Sequence, residues 1–172
     1  AVMCSLLWGT AFVAQDMGMD YIGPWTFSAA RLLLGFLALL PFFFIFEFKK
    51  VKESKLNIKF VVGYIFFLGF LLAGGNILQQ ISLIYTDVAN SAVFTVLYVV
   101  IVPIIAFFLF SKKIHKSVWP AVMMCLLGGL LLSELGNLRV RFGDSLVVIG
   151  AFFWAFHIVY ISKFLKVFNF PI

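Results

Sequence analysis

Lys49-Lys50-Val51-Lys52-Glu53-Ser54-Lys55-Leu56-Asn57-Ile58-Lys59 is the first of three stretches that together hold every lysine of the chain. The second is Lys112-Lys113-Ile114-His115-Lys116, and the third is Lys163-Phe164-Leu165-Lys166. Long apolar segments without lysine run between them. The other connections, near Met19–Pro24, Thr86–Asp87 and Gly136–Asp144, carry aspartates and, in the last, Arg139 and Arg141. Lysine thus marks one connection in two. A chain that crosses a bilayer back and forth, with its basic loops on the cytoplasmic side, produces that alternation.

Composition agrees. The chain is 64% hydrophobic and 12% charged, with mean hydropathy +1.13. Soluble domains are about 45–50% apolar and about 25% charged. A soluble core of this size cannot hide the excess. The net charge of +6 does not point to nucleic acid, because the basic residues lie at helix ends and form no aromatic-interleaved patch. Their simpler role is orientation against an anionic inner leaflet. Cys4 and Cys125 both fall inside apolar segments and read as small packing residues rather than a disulfide framework. Residue 1 is not Met, no basic n-region or cleavage site is visible, and Phe170-Pro171-Ile172 follows directly on an apolar segment. The expectation is a piece of a longer chain, cut at both ends.

A membrane helix needs about 20 mostly apolar residues. Six segments are expected to span: Ala1–Gly18, Trp25–Phe46, Phe60–Leu83, Val88–Phe110, Val118–Ser133 and Ser145–Ser162. The fifth is short, which puts Trp119 and Glu134 at the two interfaces. The runs lack the period-two alternation of barrel strands. The fold class is therefore all-α, a polytopic membrane helix bundle. Loops 47–59, 111–117 and 163–166 are expected to be cytoplasmic, in an inner or plasma membrane. Asp16, Asp20, Asp87, Glu134 and Asp144 then gather on the outer side, and Glu134 and Asp144 balance Arg139 and Arg141.

The sixth segment echoes the first. Ser5-Leu6-Leu7-Trp8-Gly9 reads like Ala151-Phe152-Phe153-Trp154-Ala155. The copies are offset by five helices, an odd number, so they enter the membrane from opposite sides, the pattern of an inverted repeat. At about 1.5 Å per residue, Trp8 lies ~15 Å and Trp154 ~14 Å from the outer ends of their segments. Tryptophan favours the interface, so two at mid-depth indicate a protein interior or a polar cavity. An in-plane two-fold axis would bring them together.

Polar residues inside the segments mark inward faces. The third segment carries Ala73, Gly74, Gly75, Asn76, Gln79 and Gln80 in its outer half, with Ala73, Asn76 and Gln80 on one face. The fourth places Ser91, Thr95 and Tyr98 together, with Pro103 following as a structural or gating candidate that frees a carbonyl. Trp154, His157 and Ile161 share a face of the sixth, matched by Trp8, Ala11 and Gln15 in the first. Two readings stand for these groups: substrate lining, or ordinary interhelical hydrogen bonding. His157, the only histidine at membrane depth, either binds substrate, couples a proton, or packs as a neutral side chain; His115 reads as a solvated loop residue. Arg31 is the only basic residue embedded in a segment. It either pairs with Asp16, Asp20 or Asp87, reaches headgroups, or meets an anionic substrate. Ala121, Cys125 and Gly129 form a small-residue ladder expected to pack helices. No HExxH, GxSxG, P-loop or paired-cysteine metal motif is present. Nothing points to an enzyme, a catalytic residue, a metal site or a cofactor.

Leu7-Trp8-Gly9-Thr10-Ala11-Phe12-Val13-Ala14-Gln15, Ile22-Gly23-Pro24 through Ala30-Arg31, Leu97-Tyr98-Val99-Val100-Ile101-Val102-Pro103-Ile104, and Gly143-Asp144 through Phe153-Trp154-Ala155 together resemble the EamA-like branch of the drug/metabolite transporter superfamily. The resemblance runs over nearly the whole chain. It implies ten helices in two inverted five-helix repeats, with 1–135 as the first repeat and 144–172 as the first helix of the second. It also implies export or exchange of small organic metabolites by alternating access, through a cavity lined here by segments one, three, four and six. The lining candidates are Trp8, Gln15, Asn76, Gln79, Gln80, Thr95, Tyr98, Trp154 and His157. The expected partners are the lipid bilayer and a small-molecule substrate. A non-transporting membrane subunit or assembly protein is the alternative, and it requires tightly packed helices without a midplane cavity. Many relatives carry Glu-Arg after the fourth helix where this chain has Ser111-Lys112-Lys113; the pair serves orientation and leaves the fold expectation intact.

Overall fold

The computed structural model describes residues 2–48, 57–111, 114–132 and 141–167. The loop lysines 49, 50, 52, 55, 112 and 113, together with Glu134 and Arg139, fall outside the described residues, and so does the expected balance of charge in that last loop. The described chain is helical, with no strand. Helix α1 covers Val2–Met19 and α2 covers Pro24–Phe42, continuing through a π-helical turn at Phe43–Glu47. Next come α3 (Ile58–Ser82), α4 (Val88–Thr95), α5 (Tyr98–Phe110), α6 (Val118–Leu132) and α7 (Phe142–Val167). Four stretches are long and apolar enough to cross a membrane: Pro24–Phe46, Ile58–Ser82, Val88–Phe110 and Phe142–Leu165. α1 and α6 match the two remaining segments and are shorter.

Local chemistry sets the ends. Pro24 opens α2, where its missing N–H costs nothing and its fixed φ suits the first turn. The Asn57 side chain accepts the Lys59 N–H at 3.1 Å and caps α3. α7 starts at Phe142, earlier than its apolar run suggests. Asp144 accounts for the difference: its Oδ2 accepts the Arg141 N–H at 2.8 Å, half of a capping box.

The fourth segment also departs from expectation. It breaks at Val96–Leu97, ahead of Pro103. There the ladder tightens to i→i−3 bonds, Val96 N–H to Val93 O at 3.1 Å and Leu97 N–H to Phe94 O at 3.2 Å. Val96 (φ −58°, ψ −19°) and Leu97 (φ −56°, ψ −26°) hold the 3₁₀ conformation. Pro103 withholds a donor from Val99 O and crowds it. Val96, Val99, Val100, Ile101 and Val102 are β-branched and adapt poorly. The distortion therefore settles one to two turns upstream, where Leu97 O accepts both the Val100 and Ile101 N–H at 3.0 Å.

α3 and α7 form the centre. As numbering rises along α3, the α7 partner falls: Tyr64 Oη donates to Tyr160 O at 3.0 Å, His157 Nδ1 to Leu68 O at 3.0 Å, and Gly75 faces Trp154. The two helices are antiparallel and close. A Cβ on Gly150 would lie 3.3 Å from Gly75 O, and one on Gly143 only 2.6 Å from Ser82 O. Ala151, Ala155 and Val159 bury α7, with Ile105 of α5 joining them. α6 turns Val122 inward. Ala121 and Cys125 of the expected packing ladder are exposed. The molecule is inside-out relative to a soluble bundle. Gln79, Gln80, Ser82, Ser91 and Thr95 are buried, whereas Leu34, Phe36, Leu39, Phe66, Phe108 and Met124 are exposed. Lipid has no reason to expel those apolar side chains, while amides and hydroxyls need partners from neighbouring helices.

The two ends of the bundle differ in charge. At one, the Thr86 hydroxyl donates to Asp144, Arg141 pairs with Asp87 at 2.7 Å, and Tyr85 meets Phe142 edge-on. At the other, Lys163 Nζ lies 4.7 Å from the centroid of the Phe110 ring. The third lysine stretch thus meets the helix end that leads into the second.

Candidate functional site

A cavity of about 390 Å³ opens between α1, α2, α3 and α7. Its wall is built from one face of α1 (Trp8, Ala11, Gln15, with Leu7 beside them), Arg31 of α2, Asn76 and Gln79 of α3, and Trp154 of α7. The Trp8 and Trp154 rings meet at 5.3 Å between centroids, tilted by 44°. Tyr98 backs Trp154 from the start of α5 at 6.1 Å. The break in the fourth segment thus lies beside the aromatic cluster, and irregular backbone at membrane depth is tolerated where it borders protein or a cavity.

The indole of Trp154 is held by what α3 lacks. A Cβ on Gly75 would collide with it, and one on Gly74 would come 2.7 Å from the Phe153 ring. Glycine at these two positions makes sockets for consecutive aromatics of α7. The small residues of α3 therefore admit side chains there, and the close backbone approach falls at Gly150.

The amides form a layered network. Arg31 Nη2 donates to Asn76 Oδ1, and Asn76 Nδ2 donates to Leu72 O at 2.7 Å. Gln79 Nε2 donates to Thr95 Oγ1 at 2.8 Å, and that hydroxyl donates to Ser91 O at 2.7 Å. Gln15 Nε2 turns back on Ala11 O, and Gln80 Nε2 reaches Gln15 O at 3.4 Å. Three buried oxygens, Gln15 Oε1, Ser28 Oγ and Gln80 Oε1, have no hydrogen-bond partner among the described residues. Buried polar groups are ordinarily satisfied; of these three residues, Gln15 lines the cavity.

Of the lining candidates, the structure brings Trp8, Gln15, Asn76, Gln79 and Trp154 onto one wall. Thr95 and Tyr98 stand one layer behind, Thr95 orienting Gln79 and Tyr98 supporting Trp154. Gln80 is fully buried behind Gln15. His157 sits off the wall, one turn beyond Trp154, bonded to Leu68 O. Because a carbonyl only accepts, His157 Nδ1 carries the proton in that bond. Pro103 stays away from the wall and acts through the break it causes.

Of the alternatives open for Arg31, pairing with an aspartate is the one the structure does not show. None of the three aspartates is its partner: Asp87 belongs to Arg141, and Asp16 and Asp20 are exposed. The signal that locates it is Ser28, three residues earlier and 1% exposed, which marks the inward face of α2.

The wall can stack a flat body, exchange hydrogen bonds through amides and present one positive charge. A larger crevice of about 540 Å³, between Ile104, Phe107, Phe108, Ile114 and Trp119, is almost wholly apolar. Its Phe108 is 77% exposed, so that wall suits acyl chains and lacks the polar groups that select a solute.

The family model for EamA-like transporters matches residues 1–134. A curated relative, an uncharacterized transporter of Archaeoglobus fulgidus, is 27% identical over 167 residues, covering 97% of this chain and 49% of that protein. The chain thus spans about half the length of the curated relative it matches. No solved structure matches it.

Proposed function

We propose that this chain, which belongs to the EamA-like transporter family, forms part of a secondary transporter that exports or exchanges small organic metabolites by alternating access. The observation that carries the reading is the Trp8–Trp154 contact on oppositely directed helices, at the wall of a cavity ringed by buried amides. In this reading 1–135 is a five-helix repeat, α7 opens its inverted partner, and the shared cavity lies at the bilayer midplane. The lysine-bearing ends face the cytoplasm. A purely structural membrane subunit has no use for a cavity lined by an arginine, three amides and paired indoles, which favours transport over that alternative.

The test is uptake or export by the intact protein across a panel of small metabolites. Trp8→Ala, Trp154→Ala and Asn76→Ala are each expected to lower transport at least tenfold with protein levels maintained. Normal transport of every substrate by all three variants sinks the site.

A further inference from the structure

Arg31 is a cation without a counter-ion. Among the described residues no carboxylate contacts it; its one hydrogen-bond partner is the neutral Asn76 amide. Every aspartate is accounted for elsewhere. Asp87 pairs with Arg141, Asp144 takes Thr86 Oγ1 and the Arg141 N–H, and Asp16 and Asp20 are exposed. Among the described residues, Arg31 is the only charged one on the cavity wall. It lies about 10 Å below the outer end of α2 by helix rise.

A guanidinium at membrane depth is costly unless something offsets it. Asn76 does so only in part, yet it does something else. Its Nδ2 is tied to Leu72 O, so its Oδ1 is fixed, and the guanidinium that donates to it is fixed in turn. Arginine has five N–H donors in a planar fork, and one bond leaves most of them free. A positioned fork with spare donors matches a carboxylate in two-pronged geometry. The same cavity is lined by the Trp8 and Trp154 indoles, which suit a flat apolar body.

From this we infer that the solute carries a carboxylate, received by Arg31, on a planar apolar body that packs against the Trp8–Trp154 pair. The inference rests on the cavity being the transport site. An acidic group could also come from a lipid phosphate, so the experiment separates the two sources.

Equilibrium binding of radiolabelled phenylacetate, phenethylamine and benzyl alcohol to the purified intact protein in phosphatidylcholine vesicles provides the test. Wild type is expected to hold phenylacetate roughly 10- to 100-fold tighter than the other two, the range of a charge-assisted hydrogen bond. Arg31→Gln is expected to abolish that preference, so that phenylacetate binds no tighter than benzyl alcohol. Arg31→Lys keeps the charge and is expected to retain part of the preference, which distinguishes lost recognition from lost folding. Trp154→Ala is expected to weaken all three. An unchanged preference in Arg31→Gln, or a wild type that favours the amine, overturns the carboxylate assignment; benzyl alcohol binding that still depends on Trp154 would then leave the site itself standing. Benzyl alcohol binding indifferent to Trp154 sinks the site reading. Phosphatidylglycerol that co-purifies with wild type and is lost in Arg31→Gln, with phenylacetate binding unaltered, assigns the guanidinium to lipid and overturns the inference.

Discussion

Glycine 75 decides the position of the largest side chain in the site. Its missing Cβ is the space that the Trp154 indole occupies. Overpacking a close contact typically costs about 1–3 kcal/mol. Gly75→Ala is therefore expected to lower the thermal midpoint and to shift tryptophan emission, because the ring must leave its socket. Gly9→Ala is the control. Nothing lies within 4 Å of a Cβ there, and alanine gains up to about 1 kcal/mol of helix propensity. A Gly75→Ala protein with unchanged melting and emission would show that Trp154 is held by something else. The sequence makes the importance of Trp154 readable through its echo of Trp8, and the amide faces through their spacing. It does not reveal which small residue serves a ring and which serves a backbone, because both uses ask for glycine. Nor does it reveal the partner of Arg31. Charge complementarity proposes an aspartate, and only the packing of α2 against α3 brings Asn76 forward instead.

Two elements carry features that their apolar runs conceal. The start of α7 is fixed by Asp144, 1% exposed, with Thr86 Oγ1 and the Arg141 N–H on its two oxygens. Asp144→Asn removes the charge from both bonds, each of the kind that contributes about 1.5–3 kcal/mol. A fall in stability of about 2 kcal/mol and faster amide exchange in the first turn of α7 are expected, whereas Asp87→Asn, at an exposed ion pair, is expected to cost under about 1 kcal/mol. Equal effects from the two changes would refute the capping role. The broken fourth segment is the second such feature. Pro103→Ala restores a donor to Val99 O and is expected to raise the thermal midpoint. Because the break abuts Tyr98 and Trp154, the same change is expected to slow transport by the intact protein. A stabilised variant that transports at the original rate would deny the break a gating role. Hydropathy locates these segments correctly because composition alone sets it. Caps and kinks are decided by single hydrogen bonds, and a hydropathy window averages over them.

Across the whole molecule, the lysine alternation and the helix directions agree. The Asp144–Thr86 and Arg141–Asp87 contacts gather at one end of the bundle, and Lys163 over Phe110 lies at the other. With Cys4 and Cys125 replaced, a single cysteine at Tyr21 or Tyr85 is expected to react with a membrane-impermeant maleimide added outside intact cells. One at Lys116 or Lys59 is expected to react only after permeabilisation. The reverse pattern would invert the molecule in its membrane. The opposite directions of α1 and α7 were legible in the sequence because they follow from counting apolar segments. The Trp8–Trp154 contact was legible as well, since constant helix rise places the two rings at matching distances from the ends of their segments. The Trp8–Trp154 contact has one more consequence. Two indoles 5.3 Å apart and tilted by 44° have coupled electronic transitions, so the pair should give a bisignate band in ultraviolet circular dichroism. One ring rides on α1 and the other on α7. The native protein thus carries a label-free optical gauge of the displacement between those two helices, readable while a solute is added.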